Sequence, residues 1–366
     1  MRGALDDAAI PDNSPFQKSM NETSSYTAGD WVEVRSKEEI LGTLDKKGRL
    51  QELPFMPEMF AFCGKRFRVA KRAHKTCDTV NQTGGRRMSS AIHLEGVRCT
   101  GDAHGECQAM CFIFWKEAWV KRVPSGSGIA IPSARPIEPV GGCTEADVLA
   151  GACADQRTGD EEPQYVCQAT QLPAATSPLP WWKVSQYLED YLSGNVTLLQ
   201  LIKGGIYSAA YNLIQAGIGL GPPLRWLYDR LQGLWHGVPF PRRGGVIAVG
   251  QPTPSSSLGL RPGELVRVKS YREILATLNT GNYNRGLFFD AEMVPFCGGT
   301  YRVLRIVHQI LEEKTGKVQR MKGPCIILEG VACQARYSTC RMFCPRSIYP
   351  YWREIWLERV ESTVPG

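Results

Sequence analysis

The chain says the same thing twice, and that constrains its fold more than any other feature. "GDWVEVRSKEEILGTLD" from Gly29 matches "GELVRVKSYREILATLN" from Gly263, and "PEMFAFCGKRFRVAKRAH" from Pro57 matches "AEMVPFCGGTYRVLRIVH" from Ala291. "HLEGVRC" then meets "ILEGVAC". Both copies close on a Cys-x3-Cys pair, a Trp, a basic-acidic pair, a second Trp and Arg-Val. Repetition on this scale means one supersecondary unit used twice. A chain of 366 residues has room for both copies and a separate middle.

Inside each copy, "DWVEV" and "ELVRV" alternate apolar and polar like half-buried strands, as do "RFRVAKR" and "TYRVLRI". "SKEEILGTLD" offers a Ser N-cap with a Glu three residues on, so one short helix follows the first strand. The predicted fold class is α+β: two homologous small β-barrel-like modules with a short helix each, joined by a mainly helical middle. The boundaries expected are an arm at 1–28, module 1 at 29–123, a Pro/Gly linker with a Cys-containing segment at 124–180, helices at 181–237, a second linker at 238–262 and module 2 at 263–360. Three helices are expected in the middle, the second capped by Asn195. They would form a small bundle or a strap against both modules.

Charge follows the same division. Asp30 to Val123 carries 17 basic and 12 acidic residues, Gly263 to Val360 carries 15 and 9, and 124–262 carries 9 and 10. The basic excess belongs to the module, which makes nucleic acid one candidate partner. The duplicated tryptophans, Trp115 and Trp119 against Trp352 and Trp356, are core residues by default and a base-stacking platform in the sharper alternative.

The start has no apolar run of the kind a secretory signal needs, and no stretch is long and apolar enough for a spanning helix. The nearest, Gly204 to Leu224, suits a buried or interfacial helix. A cytoplasmic setting follows, where the 13 cysteines are metal ligands or redox thiols before they are disulfides.

Five potential ligands recur at matching positions: Cys63 and Cys297, His74 and His308, Cys99 and Cys333, Cys107 and Cys340, Cys111 and Cys344. Four thiolates make a complete set for structural zinc, and equally for an iron–sulfur cluster. The metal ligands expected are the eight duplicated cysteines, with His74 and His308 as second choice. Cys77, His93 and His104 lack such counterparts, and Cys325 has none in module 1. Cys143, Cys153 and Cys167 fall in the middle, as part of a third site or as reduced structural thiols.

The run "FCGKRFRVAKRAHKTCD", with "HLEGVRC" and "HGECQAMCFIFWKEAWVKRV", resembles an uncharacterised bacterial family of Cys-rich proteins. The resemblance implies a bacterial, intracellular setting and supplies no catalytic residues. The opening Gly-x-x-Val-x-Val resembles the first strand of SH3-like barrels. No Walker loop, nucleotide fingerprint, nucleophile elbow or His-Glu-x-x-His stretch is present. The function expected is metal binding at tandem four-cysteine sites, with structural zinc. The alternatives are iron–sulfur electron transfer to a partner enzyme and a basic nucleic-acid-binding adaptor.

Overall fold

The computed structural model of the chain describes residues 26–123, 142–154, 162–216, 221–234 and 237–360. Most of the arm expected at 1–28 and the Pro/Gly/Ser run from 124 lie outside these residues. The fold is mixed α and β, built from several small antiparallel sheets.

Module 1 begins with β1 (Trp31–Val34), whose alternation buries Val32 and Val34. Ser36 caps α1 (Lys37–Leu41) in a capping box with Glu39. β2 (Arg66–Arg72) pairs with β1, β3 (Lys75–Cys77) with β4 (Gly85–Met88), and β5 (Ala91–Leu94) with both β2 and β6 (Trp115–Lys116). β7 (Val120–Arg122) closes the sheet against β1, giving the order β6-β5-β2-β1-β7.

Of the segment expected at 124–180, the Cys-containing part packs on this module. α2 (Glu145–Gly151) lays Val148 in its core, α3 (Gln168–Ala175) adds Leu172, and β8 (Thr176–Leu179) extends the β3-β4 hairpin. The signal was weak because "TSPL" lacks alternation and holds a Pro, which only an edge strand tolerates.

Three helices follow as expected: α4 (Ser185–Leu192), α5 (Leu198–Gln215) and α6 (Gly221–Leu234). α5 is capped by Thr197 with Gln200, not by Asn195. The Asn195 side chain instead accepts from the Arg72 N–H and donates to its carbonyl, both at 2.8 Å, tying the helices to module 1. Gly204 sits against Phe343 and Met342, where a Cβ would stand 2.5 Å from the Phe343 ring, and Tyr207 donates to the Tyr337 carbonyl of module 2. The helices therefore touch both modules.

Module 2 repeats the plan with β9 (Leu265–Val268), α7 (Tyr271–Leu275), β10 (Thr300–Leu311), β11 (Val318–Leu328) and β12 (Leu357–Arg359), in the order β11-β10-β9-β12. The register matches too: Val32 faces Phe67 and Arg122, and Val266 faces Tyr301 and Arg359. The second expected linker is also packed, with Phe240 and Leu260 buried and the Leu258 and Leu260 N–H groups donating to Glu354.

All four duplicated tryptophans are fully buried, so core packing decides against a stacking platform. Trp119 Nε1 donates to Thr43 at 3.1 Å and Trp356 Nε1 to Thr277 at 2.9 Å, the same bond in each copy. The β10-β11 hairpin leaves its own module and buries Leu311 in the core of module 1. Its backbone carries the contact: Gln108 accepts from the His308 N–H at 2.6 Å, and Cys107 Sγ accepts from the Leu311 N–H at 3.2 Å.

Candidate functional site

The 3-10 helix Pro57–Phe62 and the loop 99–111 meet at the edge of the first core, and their meeting point gathers unlike donors. Glu58 Oε1 lies 3.1 Å from Cys99 Sγ and 3.2 Å from His104 Nε2. These three ligand atoms all fall within 4.8 Å of one another, the only such group of Asp, Glu, His and Cys among the described residues. Met56 Sδ stands 3.2 Å from the same His104 nitrogen.

Backbone geometry explains why the loop can fold so tightly. The Cys99 N–H donates to the Cys111 carbonyl at 2.9 Å, and the His104 N–H to the Gly101 carbonyl at 2.9 Å. Gly101 has φ +83°, and a Cβ there would meet the Cys107 carbonyl oxygen at 1.9 Å. Only glycine closes this turn. Gly105, at φ +60°, passes equally close to Val318 and Tyr165, which lets module 2 press on the loop.

Burial and hydrogen bonding push Glu58 and Cys99 in opposite directions. Burial raises the Glu58 carboxyl, but the hydrogen bond and charge of His104, with the Cys99 bond, outweigh it and hold the group below its usual range. Burial, followed by the Glu58 charge, pushes the Cys99 thiol far up. Cys99 is thus a neutral thiol donating to a carboxylate. Glu58 Oε2 and His104 Nδ1 are buried without a hydrogen-bond partner.

A cavity of about 30 Å³ opens beside the trio, lined by Cys99, His104, Cys107, Cys111, Cys167 and Arg346 among others. It has room for roughly one water. Burial raises both the Cys111 and Cys167 thiols to about 12. Cys167, from the segment ahead of α3, stands where the duplication pointed to Cys63.

Cys63 lies elsewhere. It ends the 3-10 helix, its thiol raised by burial and facing Lys37 and Glu38. Its counterpart Cys297 is raised to about 12 by burial alone. Cys340 is exposed. Cys333 and Cys344 cluster with Cys77 of module 1, across the boundary between copies. Mutual hydrogen bonding between the two buried thiols holds Cys344 below its usual range against its burial and pushes Cys77 far up. Cys325 is buried within β11. Cys143 and Cys153 donate weakly to the carbonyls of Thr144 and Gln164. All 13 cysteines are free thiols.

The second-choice histidines divide. His74 is buried with Nε2 3.2 Å from Asp190 Oδ1, whereas His308 is exposed at the module interface. Neither joins the trio. Sequence comparison missed Glu58 and Met56, although Glu58 and Glu292 align in the two "EM" pairs; His104 stood out only as a histidine without a sister.

No family model, curated protein or solved structure is significantly similar to this chain.

Proposed function

We propose that this protein binds one divalent metal ion, zinc, through Glu58, Cys99 and His104, and that the ion pins the loop 99–111 to the 3-10 helix of module 1. The convergence of a carboxylate, a thiol and an imidazole within 4.8 Å carries the proposal. This mixed set matches zinc's borderline preferences, with Met56 or water left for the fourth position. A cluster wants four thiolates, and Cys99 is the one thiol in the trio, so a single ion is favoured over iron and sulfide. The cytoplasm, which keeps thiols reduced, suits such a centre. We read the two sheets as diverged copies of one SH3-like unit, of which the first keeps the metal site.

Elemental analysis of zinc-reconstituted protein tests the assignment. One equivalent is expected for the parent chain and for Glu292→Gln, and none for Glu58→Gln or His104→Ala with near-UV dichroism retained. Metal retained in both site variants, or no metal in the parent, overturns it.

A further inference from the structure

An apolar stripe on a helix ordinarily faces a partner surface. α5 carries two such stripes and only one of them is covered. Its inner stripe, Gly204, Tyr207 and Ile214, is covered, while Leu199, Ile202, Ile206 and Leu213 form an equally apolar stripe facing out. Leu199 is 59% and Ile206 57% exposed. Lys203 is the one charged residue in its 18 positions. α6 likewise exposes Trp226 and Leu227, and Trp181 and Trp182 ahead of α4 are exposed too, the latter 67%.

Charge says what covers this face. Three acids occur between 181 and 234, and all are turned onto the protein's own cations: Glu189 to Arg72 and Arg87, Asp190 to Lys75, and Asp229 to Arg243. The exposed charges there are Lys183, Lys203 and Arg230, all basic. A second copy of the chain would set these cations against their equals. An anionic surface would neutralise them. Tryptophan beside exposed lysine and arginine is the composition of a helix lying in the headgroup region of a bilayer. No helix among the described residues is long and apolar enough to cross one.

We infer that the outer face of α4, α5 and α6 docks on an anionic phospholipid bilayer, lying along its surface with Leu199, Ile202 and Ile206 inserted and Lys203 and Arg230 at the headgroups. The inference is independent of the metal site.

Co-sedimentation of the full chain with vesicles tests it. Binding to mixed phosphatidylcholine–phosphatidylglycerol vesicles is expected, with a blue shift of tryptophan emission, and much weaker binding to phosphatidylcholine alone. Leu199→Ser with Ile206→Ser should weaken binding by at least about tenfold, since each removes a large inserted side chain. Lys203→Glu with Arg230→Glu should weaken it about as much, at roughly 1 kcal/mol for each cation near an anionic surface. These positions are exposed, so far-UV dichroism and zinc content should match the parent. Absence of binding, equal binding to both vesicle types, unchanged binding by both variants, or a stable dimer that Leu199→Ser with Ile206→Ser dissociates would each overturn the inference.

Discussion

Glu58 and Glu292 hold the same place in the two repeats, each on the 3-10 helix that leads into Cys63 or Cys297, and they face opposite company. Glu58 meets a thiol and an imidazole. Glu292 accepts instead from the backbone N–H groups of Arg336, at 3.0 Å, and Tyr337. In the second copy the loop's own amides fill the position that His104 takes in the first. The repeat has kept the carboxylate and changed what it holds.

That difference has a pH signature. Burial, against the two amide bonds, raises Glu292 to about 6 from an ordinary value of 4.5. A carboxyl raised on folding binds its proton more tightly in the native state, so its stabilising share is fully present below about 4.5 and is lost as pH rises through 6. The loss amounts to about 2 kcal/mol. Glu292→Gln should lack that slope, so the parent-minus-variant stability difference should fall as pH rises through 6, measured by urea unfolding across pH 4 to about 8.

Lys75 and Asp190 join module 1 to α4 through a buried pair at 2.5 Å, with Lys75 also donating to the Met342 carbonyl at 2.8 Å. Burial lowers the Lys75 ammonium although Asp190 supports its charge. Asp190→Ala strands that cation and should cost about 3–5 kcal/mol, whereas Lys75→Met with Asp190→Leu should cost much less. Equal losses in a chemical denaturation series would contradict this.

Ser36 and Ser270 cap equivalent helices with the same reciprocal bond to Glu39 and Glu273. Ser36→Ala and Ser270→Ala should each cost about 1 kcal/mol. Because the caps share no partner, the double variant should show the sum to within about 0.5 kcal/mol.

What was legible in the sequence was local or repeated. Alternation in "WVEV" gave β1, the Ser-x-x-Glu box gave α1, and the duplication pointed to a matching strand and helix in the second copy, where β9 and α7 lie. Lining up the copies does not say which thiols converge, because that depends on tertiary approach. Cys63 caps a turn that points it to Lys37, while Cys167 reaches the cavity from a segment outside the repeat. Cys77 meets Cys344 only because the modules pack on each other. Asn195 looked like a cap since Asn favours that role, and the structure uses its amide to hold Arg72.

X-ray absorption at the zinc edge of the reconstituted full chain tests the proposed centre most directly. A mixed shell is predicted, with one sulfur at about 2.3 Å from Cys99 and nitrogen and oxygen at about 2.0–2.2 Å from His104 and Glu58. A weak, longer second sulfur from Met56 is compatible with that shell. Four sulfurs at about 2.3 Å would contradict it and return the site to the cysteines alone.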